Sequence, residues 1–81
     1  MNIEKTIIGG AQSLKNSNIK NPYLDSELLM LKVINKDRKY IILNSKKKLS
    51  SKYLENFKNL VCRRKRREPI AYLTNSKEFW K

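Results

Sequence analysis

The chain has 81 residues, with 19 Lys and Arg against 7 Asp and Glu, and its formal net charge is +12. That length bounds the answer to one small domain, which buries only about 60% of the surface its unfolded chain exposes and leaves little apolar area for an internal pocket. With no histidine and a single cysteine, Cys62, the composition excludes a His/Cys zinc set, a Ser-His or Cys-His nucleophile pair and an intramolecular disulfide.

Apolar residues recur at helical spacing along the chain and nowhere alternate as a half-buried strand would, so an all-α fold is predicted. Ile3, Ile7, Ala11 and Leu14 form one stripe on a first helix, capped by Asn2 with Glu4 in its first turn and ending by about Asn16. Gly9-Gly10 interrupts it. Each glycine costs about 0.5–1 kcal/mol relative to alanine in a helix interior, so the pair marks either the close approach of a neighbouring helix, the favoured reading, or a frayed, bent segment. Asn18 suits the left-handed turn that follows a helix end. Asn21-Pro22 then starts a second helix, with Asn as cap and Pro in the first turn, running to about Asn35. Its apolar residues Leu24, Leu28, Leu29, Met30, Leu31, Val33 and Ile34 cover more than one face, as expected of a central helix. Asp37 caps a short third helix through Leu43, with Tyr40, Ile41 and Leu43 directed at the core, and residues 44–49 read as a basic loop. Ser50 or Ser51 caps a fourth helix to about Arg66, and Glu68-Pro69 restarts the chain as a short fifth helix ending near Asn75. No apolar run approaches the roughly 18–20 residues of a membrane span and no leader pattern opens the chain, so a cytoplasmic location is expected.

Charge is concentrated in residues 46–67, where ten basic residues face the lone acid Glu55, a local balance of +9. A footprint for a polyanion or an acidic protein face is one account of it. For the lysines, an A/T-rich codon bias that also enriches Asn and Ile is another; it applies less to Arg63, Arg64, Arg66 and Arg67, because the remaining arginine is Arg38 alone. At about 100° per residue the fourth helix places Tyr53, Leu54, Phe57, Leu60 and Val61 in one apolar sector, and Lys52, Asn59, Arg63 and Arg66 on the opposite, solvent-facing side. Arg64 falls in the apolar sector near the helix end, so its stem is expected to pack while its guanidinium reaches outward or to the last carbonyls. Tyr53 and Phe57 are expected in the core, which leaves no exposed aromatics interleaved with the cations as an RNA-stacking surface requires. Cys62 lies at the polar edge as a small filler, with no base beside it. The candidate partner-binding residues are Lys47, Lys48, Lys52, Arg63 and Arg66.

The ordered string Arg63-Arg64, Glu68-Pro69-Ile70-Ala71-Tyr72-Leu73 and Glu78-Phe79-Trp80 resembles the end of the N-terminal domain of the HemK/PrmC family. Leu24 to Val33 is similar to that domain's second helix and Asp37 to Leu43 to its third, so the resemblance covers nearly the whole chain. Asn18, Arg67, Asn75 and Lys81 stand where the family tends to have glycine; the two basic residues would cost about 1 kcal/mol or more in a left-handed turn, so the backbone near Arg67 and Lys81 is expected to depart from the family pattern.

The resemblance implies a substrate-recruiting domain over residues 1–75 and, over 76–81, the start of a linker to a catalytic domain, with Pro69, Phe79 and Trp80 forming the interdomain joint and Trp80 expected to be exposed, disordered or buried only by a neighbouring molecule. The family methylates the glutamine of the Gly-Gly-Gln motif in peptide-chain release factors. Its catalytic half binds S-adenosylmethionine through a glycine-rich loop and holds the target amide with Asn-Pro-Pro-Tyr; neither motif occurs here, so no catalytic or cofactor-binding residue is assigned. The expected partners are a release factor and the catalytic domain. Two alternatives stand beside this: a small basic module that binds RNA or the ribosome, and a free-standing interaction domain derived from the methyltransferase.

Overall fold

The computed structural model describes residues 2–74, which form five helices: α1 (Ile3–Asn16), α2 (Pro22–Ile34), α3 (Arg38–Leu43), α4 (Ser51–Lys65) and α5 (Ile70–Leu73). No strand occurs among the described residues; Asn2 and Lys48 form an isolated antiparallel bridge. α1 packs most extensively on α2, α4 lies across both, and α5 closes on α2 and α4.

Local capping explains most of the boundaries. Asn2 Oδ1 accepts from the Lys5 amide at 2.7 Å, Asp37 Oδ1 from Tyr40 at 3.0 Å and Ser50 Oγ from Tyr53 at 3.2 Å, each satisfying a first-turn N–H that a helix leaves open. The start of α1 gains two more partners, because Ile3 and Glu4 amides donate to Lys47 O at 3.0 Å and Ser45 O at 2.9 Å. The basic loop is therefore tied by its own carbonyls to the N-terminus of α1. Asn18 at φ 64° and Asn35 at φ 56° end α1 and α2 in left-handed turns, as the first was expected to do. Asn21 precedes α2, but its side chain accepts no cap hydrogen bond. Its φ of −121° and ψ of 69° are not the extended conformation that aims a cap oxygen at the next turn.

The core is built from Ile3, Ile7, Leu14, Leu29, Met30 and Phe57, all at 2% exposure or less, with Ile19, Ile34, Ile41, Leu49, Val61 and Leu73 around them. Gly10 sets the spacing at its centre. A Cβ there would lie 2.6 Å from Phe57 Cζ and 2.7 Å from Ser26 Oγ, and that hydroxyl donates to Ile7 O at 2.7 Å, linking α2 to α1. Close packing therefore holds for Gly10. It does not hold for Gly9, whose Cβ would meet nothing within 4 Å.

Three apolar expectations are corrected. Leu43 is 72% exposed, because α3 is under two turns long and its core-facing side, about 200° away, carries the buried Ile41 with Tyr40 packed half-buried beside it. Tyr53 is 42% exposed at the first turn of α4, its ring at the bundle edge. Leu24 on α2 is also exposed. Leu49, inside the basic loop, is buried and anchors it. In α5, Leu73 is buried and Ile70 packs half-buried against the core; the helix ends at Leu73, and Asn75 lies outside the described residues.

Candidate basic docking face

Acidic side chains are spent on joints between elements. Lys46 meets Glu4 at 2.7 Å, Arg38 meets Glu27 at 2.9 Å, Arg64 meets Asp25 at 2.9 Å and Arg63 meets Glu68 at 3.0 Å. The hydrogen bond and charge of Lys46 hold the Glu4 carboxyl below its ordinary value of 4.5. Glu68 raises the Arg63 guanidinium above its ordinary range in the same way.

These pairs redistribute the candidate site. Lys47, Lys48 and Lys52 sit around the N-terminal end of α4 and Arg63 and Arg66 at its other end, so Lys52 and Arg63 are separated by about 16 Å along the axis. One continuous five-residue face does not form. At the first end, Lys36 and Lys47 ammonium groups lie 5.3 and 5.9 Å from the Tyr40 ring centroid, and Lys47 donates to the Tyr40 hydroxyl at 3.3 Å. A depression of about 220 Å³ lies there, bordered by Lys36, Tyr40, Lys47, Lys48 and Tyr53.

At the second end the arginines are largely structural. Arg63 is exposed as expected, but its guanidinium is engaged by Glu68 through Nε at 3.1 Å as well as Nη2, so it is no free anion receptor. Arg64 packs as expected and its Nη1 donates to Glu68 O at 2.8 Å, while its Nε takes Asp25 on α2, a partner the helical wheel could not show. Arg67 adopts φ 75°, so the left-handed turn is kept despite its side chain. Its guanidinium donates to Ser17 O at 2.8 Å and Asn18 O at 3.4 Å, fastening the end of α4 to the end of α1 and offsetting the backbone strain. Arg66 remains exposed, and its side chain makes no ion pair among the described residues.

Lys58 and Lys65 were not candidates from the sequence. Seven residues apart, they share one face of α4 with Cys62. These three, with Leu54, Phe57 and Val61, form one wall of a groove of about 290 Å³ whose other wall is Thr6, Gly9, Gly10 and Ser13 of α1. The one hint of it in the sequence was Gly9, the glycine of the pair that no neighbouring helix requires. Pro69 is exposed and opens α5; Phe79 and Trp80, the other members of the expected joint, lie outside the described residues. Among the described residues no His/Cys/Asp/Glu cluster could hold a metal, and no helix is long and apolar enough to cross a membrane.

Five helices, with Glu4, Asp25, Glu27 and Glu68 paired to basic side chains of the chain itself and with free cations left on α4, define a small all-α helical module. The PrmC N-terminal domain family matches residues 6–74, and the chain belongs to that family. It is 40% identical over 80 residues to the release factor glutamine methyltransferase of Buchnera aphidicola subsp. Acyrthosiphon pisum, covering 99% of this chain and 28% of that protein. A protein of the same description from Aliivibrio fischeri is 35% identical over 80 residues, again 99% and 28%. The bifunctional methyltransferase of Rickettsia bellii is 36% identical over 78 residues, 96% of this chain and 14% of that protein. The chain thus spans under a third of the length of these relatives. No solved structure gives a significant match.

Proposed function

We propose that this chain is the release-factor-recognition domain of an S-adenosylmethionine-dependent protein-(glutamine-N5) methyltransferase that acts on the Gly-Gly-Gln glutamine. The similarity to release factor glutamine methyltransferases across 99% of the chain carries this proposal. The described residues do not fit the methyl donor: no strand precedes a glycine-rich turn, and Gly9-Gly10 lies inside α1. Their contribution is placement. A glutamine amide is a poor nucleophile, so its methylation depends on positioning, and docking energy from a remote surface can be spent on it.

Lys52, Lys58, Lys65 and Arg66, exposed and outside every ion pair among the described residues, supply the attraction. In the intact enzyme, the combined variant Lys52→Glu, Lys65→Glu, Arg66→Glu is expected to slow association with the release factor about tenfold or more at low salt and to flatten its salt dependence. Affinity for the methyl donor and the melting temperature should not change. Association that is equally fast and equally salt-sensitive in the variant would refute the charged-face role.

The depression beside Tyr53 favours RNA as a second partner class, because an exposed aromatic there borders three lysines. RNA binding would weaken linearly in log–log salt plots with a slope set by the phosphates neutralised, and RNA would displace a release factor from the chain. A release-factor complex that survives excess RNA favours the protein partner.

A further inference from the structure

The groove between α1 and α4 has no role in the fold, and Gly9 is the clearest sign of that. Gly10 is required by the approach of Phe57 and Ser26, whereas a side chain at Gly9 would enter open space. An exposed mid-helix glycine costs stability without a compensating internal contact. What its missing side chain does leave is the opening of the groove, whose floor and far wall are Phe57, Leu54 and Val61.

We propose that this groove receives an apolar side chain carried on an acid-flanked segment of the protein substrate, the release factor; this rests on the docking function proposed above. The volume, about 290 Å³, lies at the bottom of the range for small-molecule sites of about 300–1,000 Å³ and suits one or two side chains. No acidic residue lines it, while Lys58 and Lys65 stand two turns apart along its rim, both exposed and without an ion pair among the described residues. An apolar anchor with carboxylates on either side complements both features, the anchor supplying dwell time and the carboxylates orientation. Lys58 and Lys65 are among the cations proposed above to steer association, so capture and anchoring occur on one helix.

Two independent readouts on the 81-residue chain test this, with a Gly-Gly-Gln release factor as the probe. Gly9→Leu fills the groove with a good helix former and is expected to weaken release-factor binding at least tenfold while the helical circular dichroism and melting temperature are maintained or raised. Gly9→Ala, which adds one methyl group in open space, should bind within about twofold of the unsubstituted chain. Cys62, the sole thiol, lies on the groove wall, and its rate of maleimide labelling in the unsubstituted chain should fall at least fivefold when the release factor is saturating. Binding by Gly9→Leu within twofold of the unsubstituted chain, or unslowed labelling of Cys62 in the complex, overturns the groove while leaving the docking function intact. Failure of the unsubstituted chain to bind the release factor overturns both. Labelling that slows with chain concentration alone assigns the groove to a second copy, and labelling that accelerates on deletion of residues 75–81 assigns it to this chain's own C-terminal residues; either result also overturns the proposal.

Discussion

Adjacent glycines in α1 should respond to the same substitution with opposite signs. Ala at Gly9 meets no atom within 4 Å, so Gly9→Ala gains the helix preference of alanine, about 0.5–1 kcal/mol. At Gly10 the new Cβ would sit 2.6 Å and 2.8 Å from two ring atoms of Phe57 and 2.7 Å from Ser26 Oγ, against an ordinary contact of about 3.5–4.0 Å. Phe57 is 1% exposed and cannot move outward without disturbing α1 and α2. Overpacking of this kind costs about 1–3 kcal/mol. The helix gain offsets part of it, and displacement of the Ser26 hydroxyl from Ile7 O adds a buried hydrogen bond to the loss, leaving Gly10→Ala about 1–3 kcal/mol less stable. In a domain of this size each kcal/mol moves the melting temperature by about 4–8 °C. Gly9→Ala should therefore melt about 2–8 °C above the unsubstituted chain and Gly10→Ala at least 4 °C below it, read by circular dichroism and checked by urea unfolding. A Gly10→Ala variant that melts at or above the parent would show that Phe57 relaxes freely, and the account of helix spacing would fail. A drop for Gly9→Ala would show that Gly9 has a structural task after all.

Asp25→Ala leaves the Arg64 guanidinium without its carboxylate at a position where the two side chains are 7% and 20% exposed. Because Arg64 keeps Glu68 O and some solvent, the loss should be about 2–3 kcal/mol, below that of a fully buried pair; a change under about 0.5 kcal/mol in urea unfolding would refute it. The lowered Glu4 carboxyl gives a signed pH effect. Its contribution is complete above the ordinary value of 4.5 and is lost as pH falls through the lower folded value, so Glu4→Gln should flatten the acid limb of the stability curve, and an unaltered limb would count against the Lys46 pairing. At Arg67, Ala retains the left-handed strain and loses the guanidinium bonds, whereas Gly loses both. Arg67→Ala should accordingly be about 1 kcal/mol less stable than the parent and Arg67→Gly within about 0.5 kcal/mol; the reverse order would refute the compensation.

The helices were legible because their determinants are local. Asn2, Asp37 and Ser50 cap through amides three residues ahead, and Pro22 and Pro69 mark restarts regardless of what packs nearby. Helical periodicity likewise found Ile3, Ile7, Leu14, Phe57 and Val61 in the core. It failed for Tyr53 and Leu43, since a wheel gives the direction of a side chain and not whether a neighbouring element extends far enough to cover it. Leu49 was hidden by the lysines around it. The site was less legible for the same reason: Arg64 finds Asp25 across 39 positions of sequence, and Arg63 finds Glu68 only because Arg67 turns the chain back on α4.

The sequence pointed to the arginine cluster as the stronger mark of a ligand and to the lysines as solvated surface; the structure reverses that order. Arg38, Arg63, Arg64 and Arg67 each hold a carboxylate or backbone carbonyl of this chain, a use that suits a planar, weakly hydrated guanidinium with directional donors. The cations left on α4 for an outside partner are Arg66 and, mainly, lysines, whose compact hydrated ammonium groups attract at long range but discriminate poorly. Charge on such a surface speeds encounter more than it selects a partner. Under the proposed docking function, selectivity has to come from a feature with shape, and the α1–α4 groove between Gly9 and Phe57 has that shape, with Lys58 and Lys65 on its rim.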